Sequence, residues 1–254
     1  MTLALDFPIC SQSPLGRLDP RWKLASLVAA AVLSALLQTL PAALLAGAGA
    51  LVLVLMAQLP PRWLLLRLAG VILVFGFFLA WLPFAHPAGA ISWHLGGLTL
   101  SLAGLKLAGL LLLKALTVVA LMLALLATAP LQETCHAAHA LRVPGILIHL
   151  TLLSYRFVFL AADEFARLRI ALRVRGFRNR GNWQSYRTVG QVAGTLLVRS
   201  HDRAERVGQA MRCRGFDGTY RALYQWRTRW VDPLAFGIIV GCAMSLWLWD
   251  ILER

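Results

Sequence analysis

The chain has 254 residues, of which 59% are hydrophobic and only 14% are charged, and its mean hydropathy is +0.69. In soluble domains of this size about a quarter of all residues are charged, so this composition argues against an ordinary soluble protein and indicates a membrane protein. The net charge of +14 is concentrated in one segment. Residues 163–230 hold 15 Arg, no Lys and 5 acidic residues, a local balance of +10. Four cysteines without paired spacing do not predict a disulfide framework.

The apolar residues are grouped in five runs that approach the roughly 20 residues needed to cross a bilayer. The first begins at Leu24, after an opening that is too long and too acidic for a cleaved signal peptide, and we interpret it as a retained span. Glycines within the runs (Gly47, Gly49, Gly70 and Gly76) allow close helix packing. The five predicted spans are residues 24–40, 42–59, 68–85, about 107–129 and 233–249.

Basic residues mark the loops that stay in the cytoplasm. Arg17, Arg21 and Lys23 precede the first predicted span, and Arg62 and Arg67 separate the second from the third. The loops on the other side carry no charge until Lys106, at the start of the fourth span. We therefore predict a multi-pass protein of the cell (inner) membrane whose N-terminus lies in the cytoplasm.

One further apolar stretch, residues 143–162, is long enough to cross the bilayer but contains His149 and Arg156. If it crossed, the arginine-rich segment would lie outside, and no apolar run would return the chain before Pro233. We therefore predict that this stretch packs at the interface without crossing.

The sequence thus predicts an all-α polytopic membrane protein with about five transmembrane helices and a long, arginine-rich cytoplasmic helical segment. A cytoplasmic N-terminal segment covers residues 1–23, and the first four transmembrane helices cover residues 24–129. Cytoplasmic or interfacial coupling helices with two Arg-Gly motifs cover residues 130–231, and residues 232–254 form the last transmembrane helix.

The arginine-rich segment contains an internal repeat, in which residues 163–177 align with residues 202–216 at an offset of 39. In each copy an aspartate is followed four residues later by an arginine, Asp163 with Arg167 and Asp202 with Arg206, and such pairs stabilise a helix. The matching positions are Asp163/Asp202, Arg167/Arg206, Ala171/Ala210, Arg173/Arg212, Arg175/Arg214, Gly176/Gly215 and Phe177/Phe216.

Each copy of the repeat ends in a pattern that is typical of a helix C-terminus. Arg173 and Arg175 fall in the last turn, where cations interact favourably with the partial negative charge, and Gly176 is the usual residue of a left-handed cap. A single copy would be explained as an ordinary helix end. Because capping does not require the same Asp, Ala and Phe around it, the repetition predicts two similar cationic helix tips with a function.

Three kinds of partner would accept two such tips. A pair of like protein subunits with carboxylate-lined grooves suits the planar guanidinium, which binds carboxylates in a bidentate manner. The anionic membrane leaflet also attracts polybasic segments. Nucleic acid is disfavoured because the segment contains no recognised binding motif.

At these residues the chain resembles the transmembrane T component of energy-coupling factor (ECF) transporters, of the cobalt-transport CbiQ type. The resemblance covers nearly the whole chain. It is carried by the run Ser-Pro-Leu-Gly-Arg-Leu-Asp-Pro-Arg-Trp-Lys-Leu at 13–24, by residues 128–131 and 155–157, by the two repeated motifs, and by Arg-Gly-Phe-Asp-Gly at 214–218.

In that family, Ala-Arg-Gly motifs end two coupling helices that dock into grooves on two ATPase subunits. Here the motifs read Val-Arg-Gly at 174–176 and Cys-Arg-Gly at 213–215. The resemblance implies that Arg175 and Arg214 engage the ATPase pair. The predicted coupling residues are Arg173, Val174, Arg175 and Gly176 in the first copy, and Arg212, Cys213, Arg214 and Gly215 in the second.

The resemblance also implies a transport subunit that is not an enzyme and binds no cofactor. The partner ATPases would use the ATP, and a separate membrane subunit, a cobalt-binding S component, would select the substrate. The chain contains no phosphate-binding Gly-x-x-x-x-Gly-Lys-Ser/Thr loop. Nickel or a vitamin stays open as an alternative to cobalt.

Two polar features have both a functional and a structural interpretation. Lys114 interrupts the fourth predicted span and could line a transport path, although a side chain that snorkels or faces the helix bundle is the favoured interpretation. Glu133, Cys135, His136 and His139 are residue types that bind divalent metals, but we favour the polar face of a connecting helix.

The alternative function is a membrane enzyme or membrane-associated protein that uses the arginine-rich segment to bind anionic lipid headgroups. An enzyme would need a metal or a general base near the interface, and the sequence does not clearly supply either.

Overall fold

The structure is a computed structural model that describes residues 13–79, 92–95, 98–178, 180–218 and 230–253. The predicted all-α fold is confirmed. The one addition among the described residues is a short antiparallel hairpin, in which Trp93 pairs with Leu100, directly before the helix that begins at Leu102. The elements are α1 (Pro20–Leu36), α2 (Leu40–Met56), α3 (Pro61–Leu79), β1 (Ser92–Leu95), β2 (Leu98–Ser101), α4 (Leu102–Thr128), α5 (Leu131–Ala140), α6 (Gly145–Val174), α7 (Trp183–Cys213) and α8 (Val231–Leu252).

The chain divides into two compact units. The first unit comprises Met1–Leu141 and Tyr224–Arg254, and it contains helices α1 to α5 and α8. The second unit comprises Arg142–Leu223 and contains α6 and α7. The repeated arginine element therefore lies wholly within the second unit.

Within the residues that the structure describes, three helices are long and apolar enough to cross a membrane, namely Gly104–Thr128, Gly145–Val174 and Val231–Leu252, and α2 is a shorter apolar helix. The helix Gly104–Thr128 contains most of the predicted span 107–129, and the helix Val231–Leu252 contains the predicted span 233–249. The predicted span 68–85 begins in α3 and ends outside the described residues. The helix Gly145–Val174 is α6 itself, which contains residues 145–162 of the stretch 143–162; that this stretch does not cross stays a prediction.

Large apolar side chains cover the outward faces of the first unit. Leu55 on α2, Leu66 and Phe77 on α3, and Ile238 on α8 are among those that are more than half exposed. A soluble protein rarely exposes so many large apolar side chains on neighbouring helices, whereas lipid tails solvate them well. This distribution agrees with a membrane protein.

The core of the first unit is built by α1, α2 and α4, with α3 and α8 packed against them. Alanines supply much of this core and allow the helix backbones to approach closely. They are Ala30, Ala31, Ala50, Ala57, Ala124 and Ala127. Gly47 continues this pattern, because a Cβ added there would meet Thr117 Oγ1 at 3.4 Å and Leu113 Cδ1 at 3.5 Å on α4.

The close approach at Gly47 gives a testable prediction. The substitution Gly47→Leu is expected to lower the free energy of unfolding by about 1–3 kcal/mol, because a larger side chain forces α2 and α4 apart. Gly49→Leu is the matched control, since a Cβ at Gly49 meets no described atom within 4 Å. Thermal unfolding followed by tryptophan fluorescence measures both, and equal losses would show that the α2–α4 contact is not the cause.

Helix α8 carries an aspartate near each end, and both carboxylates bind backbone groups at the ends of other helices. Asp232 Oδ1 accepts a hydrogen bond from the N–H of Asp19 at 3.1 Å, where α1 begins. Asp250 accepts from the N–H groups of Gln38 and Thr39 and from the Thr39 hydroxyl at 2.5 to 3.1 Å, just before α2 begins. Both aspartates are buried, so these bonds fix α8 against the two ends of α1.

The family-like run at residues 13–24 builds the start of α1. The Asp19 carboxylate accepts a hydrogen bond from the Arg21 N–H at 3.1 Å, and Pro20 occupies the first helical position. Lys23 is 2% exposed, and its ammonium group donates to the carbonyl of Thr128 at 3.2 Å, at the C-terminus of α4. A cation there satisfies a terminal carbonyl and offsets the partial negative charge of the helix end.

Lys114, in the middle of α4, has a similar role. Its ammonium group donates to the carbonyl of Ala35 at 3.1 Å, in the last turn of α1. The side chain therefore faces a neighbouring helix of the bundle, which favours the structural interpretation of this residue over a place in a transport path.

Candidate functional site

The two copies of the repeat end α6 and α7 with the same hydrogen-bond pattern. At the end of α6, Gly176 N–H donates to Arg173 O and Phe177 N–H donates to Leu172 O, each at 3.0 Å. At the end of α7, Gly215 N–H donates to Arg212 O at 3.0 Å and Phe216 N–H donates to Met211 O at 3.1 Å. This pair of hydrogen bonds forms a Schellman cap, which satisfies the last carbonyls of a helix.

The caps depend on glycine, because both turning residues have a positive φ. Gly176 has φ +74° and Gly215 has φ +76°, which is the left-handed region that other residues adopt only at a cost. The prediction of left-handed glycine caps from the sequence is therefore confirmed.

The residues around each cap are exposed. The side chains of Arg173, Val174 and Arg175 at the end of α6 are exposed, and so are those of Arg212, Cys213 and Arg214 at the end of α7. The Arg212 guanidinium is turned back onto its own helix, where Nε contacts Gly208 O at 3.4 Å. Within the described residues Arg175 and Arg214 form neither an ion pair nor a side-chain hydrogen bond, so their guanidinium groups are available to an anionic partner.

Replacing the cap glycines by alanine is expected to loosen the tips without unfolding the helices. Gly176→Ala or Gly215→Ala places a Cβ in a left-handed conformation and costs about 1 kcal/mol, although no described atom within 4 Å obstructs it. Hydrogen exchange at the amides of Phe177 and Phe216 should become several-fold faster. Gly181→Ala, in the loop after α6, is the control, and an equal change there would contradict a role of the caps.

The ion pairs of the second unit differ from the two that the sequence predicts. In the part of the chain that the structure describes, neither Asp163–Arg167 nor Asp202–Arg206 closes to ion-pair distance. Instead Glu164, next to Asp163, forms a salt bridge with Arg203, next to Asp202. A second pair, His201 with Glu205 at 3.7 Å, lies on the exposed surface of α7.

The Glu164–Arg203 salt bridge lies where α6 and α7 contact each other. A cavity of about 500 Å³ adjoins it and is lined by apolar side chains of both helices, including Phe157, Leu160 and Leu196. The two charged side chains are 20% and 31% exposed. The contact between the helices is thus partly shielded from water, which strengthens the attraction between these charges relative to a surface pair.

The end of α7 has one further contact that involves the repeat. The ring of Phe216 stacks on the His149 ring of α6, with centroids 5.1 Å apart and planes inclined by 24°. Phe216 follows the cap glycine directly, so this contact holds the chain beyond the α7 tip against the first part of α6.

The metal-ligand residue types near residue 135 lie on α5. Cys135 is buried, and burial raises the pKa of its thiol, which disfavours the thiolate that binds metals. Across the described residues the structure brings together no group of three His, Cys, Asp or Glu side chains that could hold a metal ion. Glu133, Cys135, His136 and His139 therefore do not come together as such a group in this structure.

The fold and the two tips define a class of protein: a polytopic α-helical membrane protein with a second unit that presents two similarly capped, cationic helix ends. A family model described as "Cobalt transport protein" and named CbiQ matches residues 11–225. This match covers most of the chain, so the chain belongs to the CbiQ cobalt transport protein family.

Individual relatives are similar over part of their length. A protein named Cobalt transport protein CbiQ from Rhodobacter capsulatus is 36% identical over 120 residues, which is 47% of this chain and 46% of the relative. Nickel permease LarQ from Lactiplantibacillus plantarum is 29% identical over 122 residues, 47% of this chain and 44% of the relative. The uncharacterized protein MJ1089 from Methanocaldococcus jannaschii is 27% identical over 178 residues, 68% of this chain and 65% of the relative. The matches to the cobalt and nickel proteins therefore span about half of those relatives.

Proposed function

We propose that this chain is the membrane-embedded coupling subunit of an ATP-driven importer of the ECF type, with cobalt ion as the substrate of the assembly. The CbiQ family and the similarity to a cobalt transport protein support a transition-metal substrate. The similarity to a nickel permease makes nickel the second candidate. In this proposal a separate membrane subunit, the S component, binds the ion, and this chain performs no catalysis.

The observation that carries the proposal is the pair of equivalent helix ends. Two exposed tips with the same cap and the same Arg-x-Arg sequence suit a partner that offers two equivalent grooves, as a pair of like ATPase subunits does. Arg175 and Arg214 are the central contacts, because a guanidinium fork binds a groove carboxylate through two parallel hydrogen bonds. Arg173 and Arg212 add positive charge beside them.

The proposed mechanism is mechanical. Closing and opening of the ATPase pair on ATP binding and hydrolysis displaces the two tips, and α6 and α7 transmit this displacement to the membrane helices. Reorientation of the substrate-binding subunit then releases the ion into the cell. With the N-terminus in the cytoplasm, the arginine-rich unit lies on the side of the inner membrane where ATP is available.

Co-purification with the ATPase subunits tests the proposal. The full chain in detergent is expected to retain both ATPases, and Arg175→Glu with Arg214→Glu is expected to lose them. Arg187→Glu with Arg199→Glu is the matched control, because both arginines are exposed on α7 and the net charge changes equally. Retention of both ATPases by the tip variant would contradict the proposal.

The same variants distinguish the lipid-headgroup alternative. Ile146, Leu147 and Leu150 on α6 are more than half exposed, and apolar residues of this kind also suit contact with a membrane. Flotation of vesicles with and without anionic lipid, in the absence of ATPases, measures this directly. If tip reversal weakens vesicle binding more than the control pair does, while ATPase binding is unchanged, the tips bind lipid.

A further inference from the structure

The salt bridge between α6 and α7 joins positions that the internal repeat makes equivalent. The repeat aligns residue 163 with residue 202, and the salt bridge connects Glu164 with Arg203, which are also 39 residues apart. In a two-fold arrangement of like elements, a residue that contacts its own equivalent lies on the axis. The salt bridge is therefore the point through which an approximate two-fold axis relating α6 to α7 would pass.

A position on such an axis explains why the two copies differ there. Identical charged residues at this position would face each other and repel, whereas opposite charges attract. The sequence carries Glu in one copy and Arg in the other at this position, although Asp163 and Asp202 on one side and Arg167 and Arg206 on the other are identical. The salt bridge lies beside the apolar cavity and is partly shielded from water, which makes the attraction between the two charges stronger.

The two tips lie at the same distance along their helices from this salt bridge. Arg175 follows Glu164 by 11 residues, and Arg214 follows Arg203 by 11 residues. At a helical rise of about 1.5 Å per residue, each arm is about 16 Å long. Two arms of equal length, joined at one ion pair, would present their tips symmetrically about the ion pair if the helices are related by this axis.

We propose that the Glu164–Arg203 salt bridge is the pivot of α6 and α7, and that it positions the two arginine tips at the spacing that a pair of ATPase subunits requires. Glu164 and Arg203 are positioning residues, since they lie 11 residues from the tips. The consequence for transport rests on the function proposed above, whereas the spacing of the tips is a property of this chain alone.

Distance measurement between the tips tests the pivot. Val174 and Cys213 are equivalent positions directly before Arg175 and Arg214, and both are exposed. Spin labels on Val174→Cys and on the native Cys213, in the full chain in lipid nanodiscs, report the spacing by double electron–electron resonance. Cys10→Ser and Cys242→Ala remove two other thiols, and Cys135 is left in place because it is buried and its raised pKa keeps it poorly reactive.

Charge reversals at the pivot should change the spacing, and the exchanged pair should restore it. Glu164→Arg or Arg203→Glu alone places like charges on the axis and is expected to broaden the distance distribution at least about two-fold. Glu164→Arg together with Arg203→Glu should recover the original distribution. Glu205→Arg, which removes the exposed pair with His201, is the matched control and should change nothing.

Two results would overturn the pivot: a distribution that the single reversals leave unchanged, or one that the exchanged pair does not restore. If a single reversal prevents folding, recovery by the exchanged pair supports the pivot and failure to recover contradicts it. Uptake should fall by about 3- to 30-fold in the single variants, as is typical of coupling residues outside a binding site. Failure of the proposed function is distinguishable, because tip reversal would then leave ATPase binding intact whatever the spin labels show.

Discussion

Under the proposed function, charge reversal at both helix tips, Arg175→Glu with Arg214→Glu, is expected to abolish ATP-driven cobalt uptake while the protein stays folded in the membrane. Truncating a central arginine of an interface commonly costs about 2–4 kcal/mol, and reversal adds repulsion from the carboxylates of the proposed groove. Two such losses correspond to at least about a 1,000-fold weaker ATPase contact. The fold should persist because both side chains are exposed and leave no described partner behind.

Uptake of radioactive cobalt by cells or proteoliposomes that contain the whole assembly measures this effect. Arg187→Glu with Arg199→Glu changes the net charge equally and should retain most of the uptake. Smaller changes should be graded: Arg→Lys at position 175 or 214 keeps the charge but loses the bidentate fork, and Arg173→Ala or Arg212→Ala should matter less. Uptake equal to that of the unmodified assembly in the double reversal would contradict coupling through the tips.

Removal of the buried carboxylate at the end of α8 is expected to have the largest effect on stability. Asp250 is 0% exposed and accepts hydrogen bonds from two backbone N–H groups and one hydroxyl between α1 and α2. A hydrogen bond to a charged group contributes about 1.5–3 kcal/mol, and a buried donor without an acceptor adds a desolvation penalty. Asp250→Ala should therefore destabilise the first unit by about 3 kcal/mol or more.

Thermal unfolding of the full chain in detergent, followed by tryptophan fluorescence, measures the loss. Asp250→Asn should lose less than Asp250→Ala because the amide oxygen still accepts from Thr39. Glu253→Ala, at an exposed position three residues further on, is the matched control and should leave the melting temperature nearly unchanged. If the alanine variants at 250 and 253 melt alike, the carboxylate does not hold the α1–α2 turn.

The features that the sequence predicts correctly depend on neighbouring residues. The apolar runs produce the helices of the first unit because length and composition decide which segments enter lipid. The helix ends at Gly176 and Gly215 are predictable because a left-handed cap needs a glycine at one position after a run of helix-forming residues. For the same reason the repeat alone locates both candidate coupling tips.

The features that the sequence does not predict depend on contacts between distant segments. Asp250 binds groups 211 and 212 residues earlier in the chain, and nothing near it distinguishes it from a polar residue at the end of a span. Lys23 similarly binds a carbonyl 105 residues away. Such pairs follow from the packing of helices, which a single sequence does not specify.

The salt bridge at the proposed pivot is partly predictable from the sequence. Comparison of the two repeat copies by identity passes over Glu164 and Arg203, because the residues differ. Their opposite charge at equivalent positions is nevertheless a signal, since an axis of approximate two-fold symmetry requires complementary rather than identical charges. The predicted pairs with i,i+4 spacing were adjacent to the residues that form the bridge, so the local rule identified the region but not the partners.

Photo-cross-linking from the tips tests the central claim most directly. A benzoyl-phenylalanine placed at position 174, or separately at position 213, lies directly beside Arg175 or Arg214 in the chain. The proposed coupling predicts that each probe cross-links to an ATPase subunit, whereas a probe at Val189, on the exposed surface of α7, does not. Cross-links from both tips to lipid alone, with the ATPases present and active, would contradict the account.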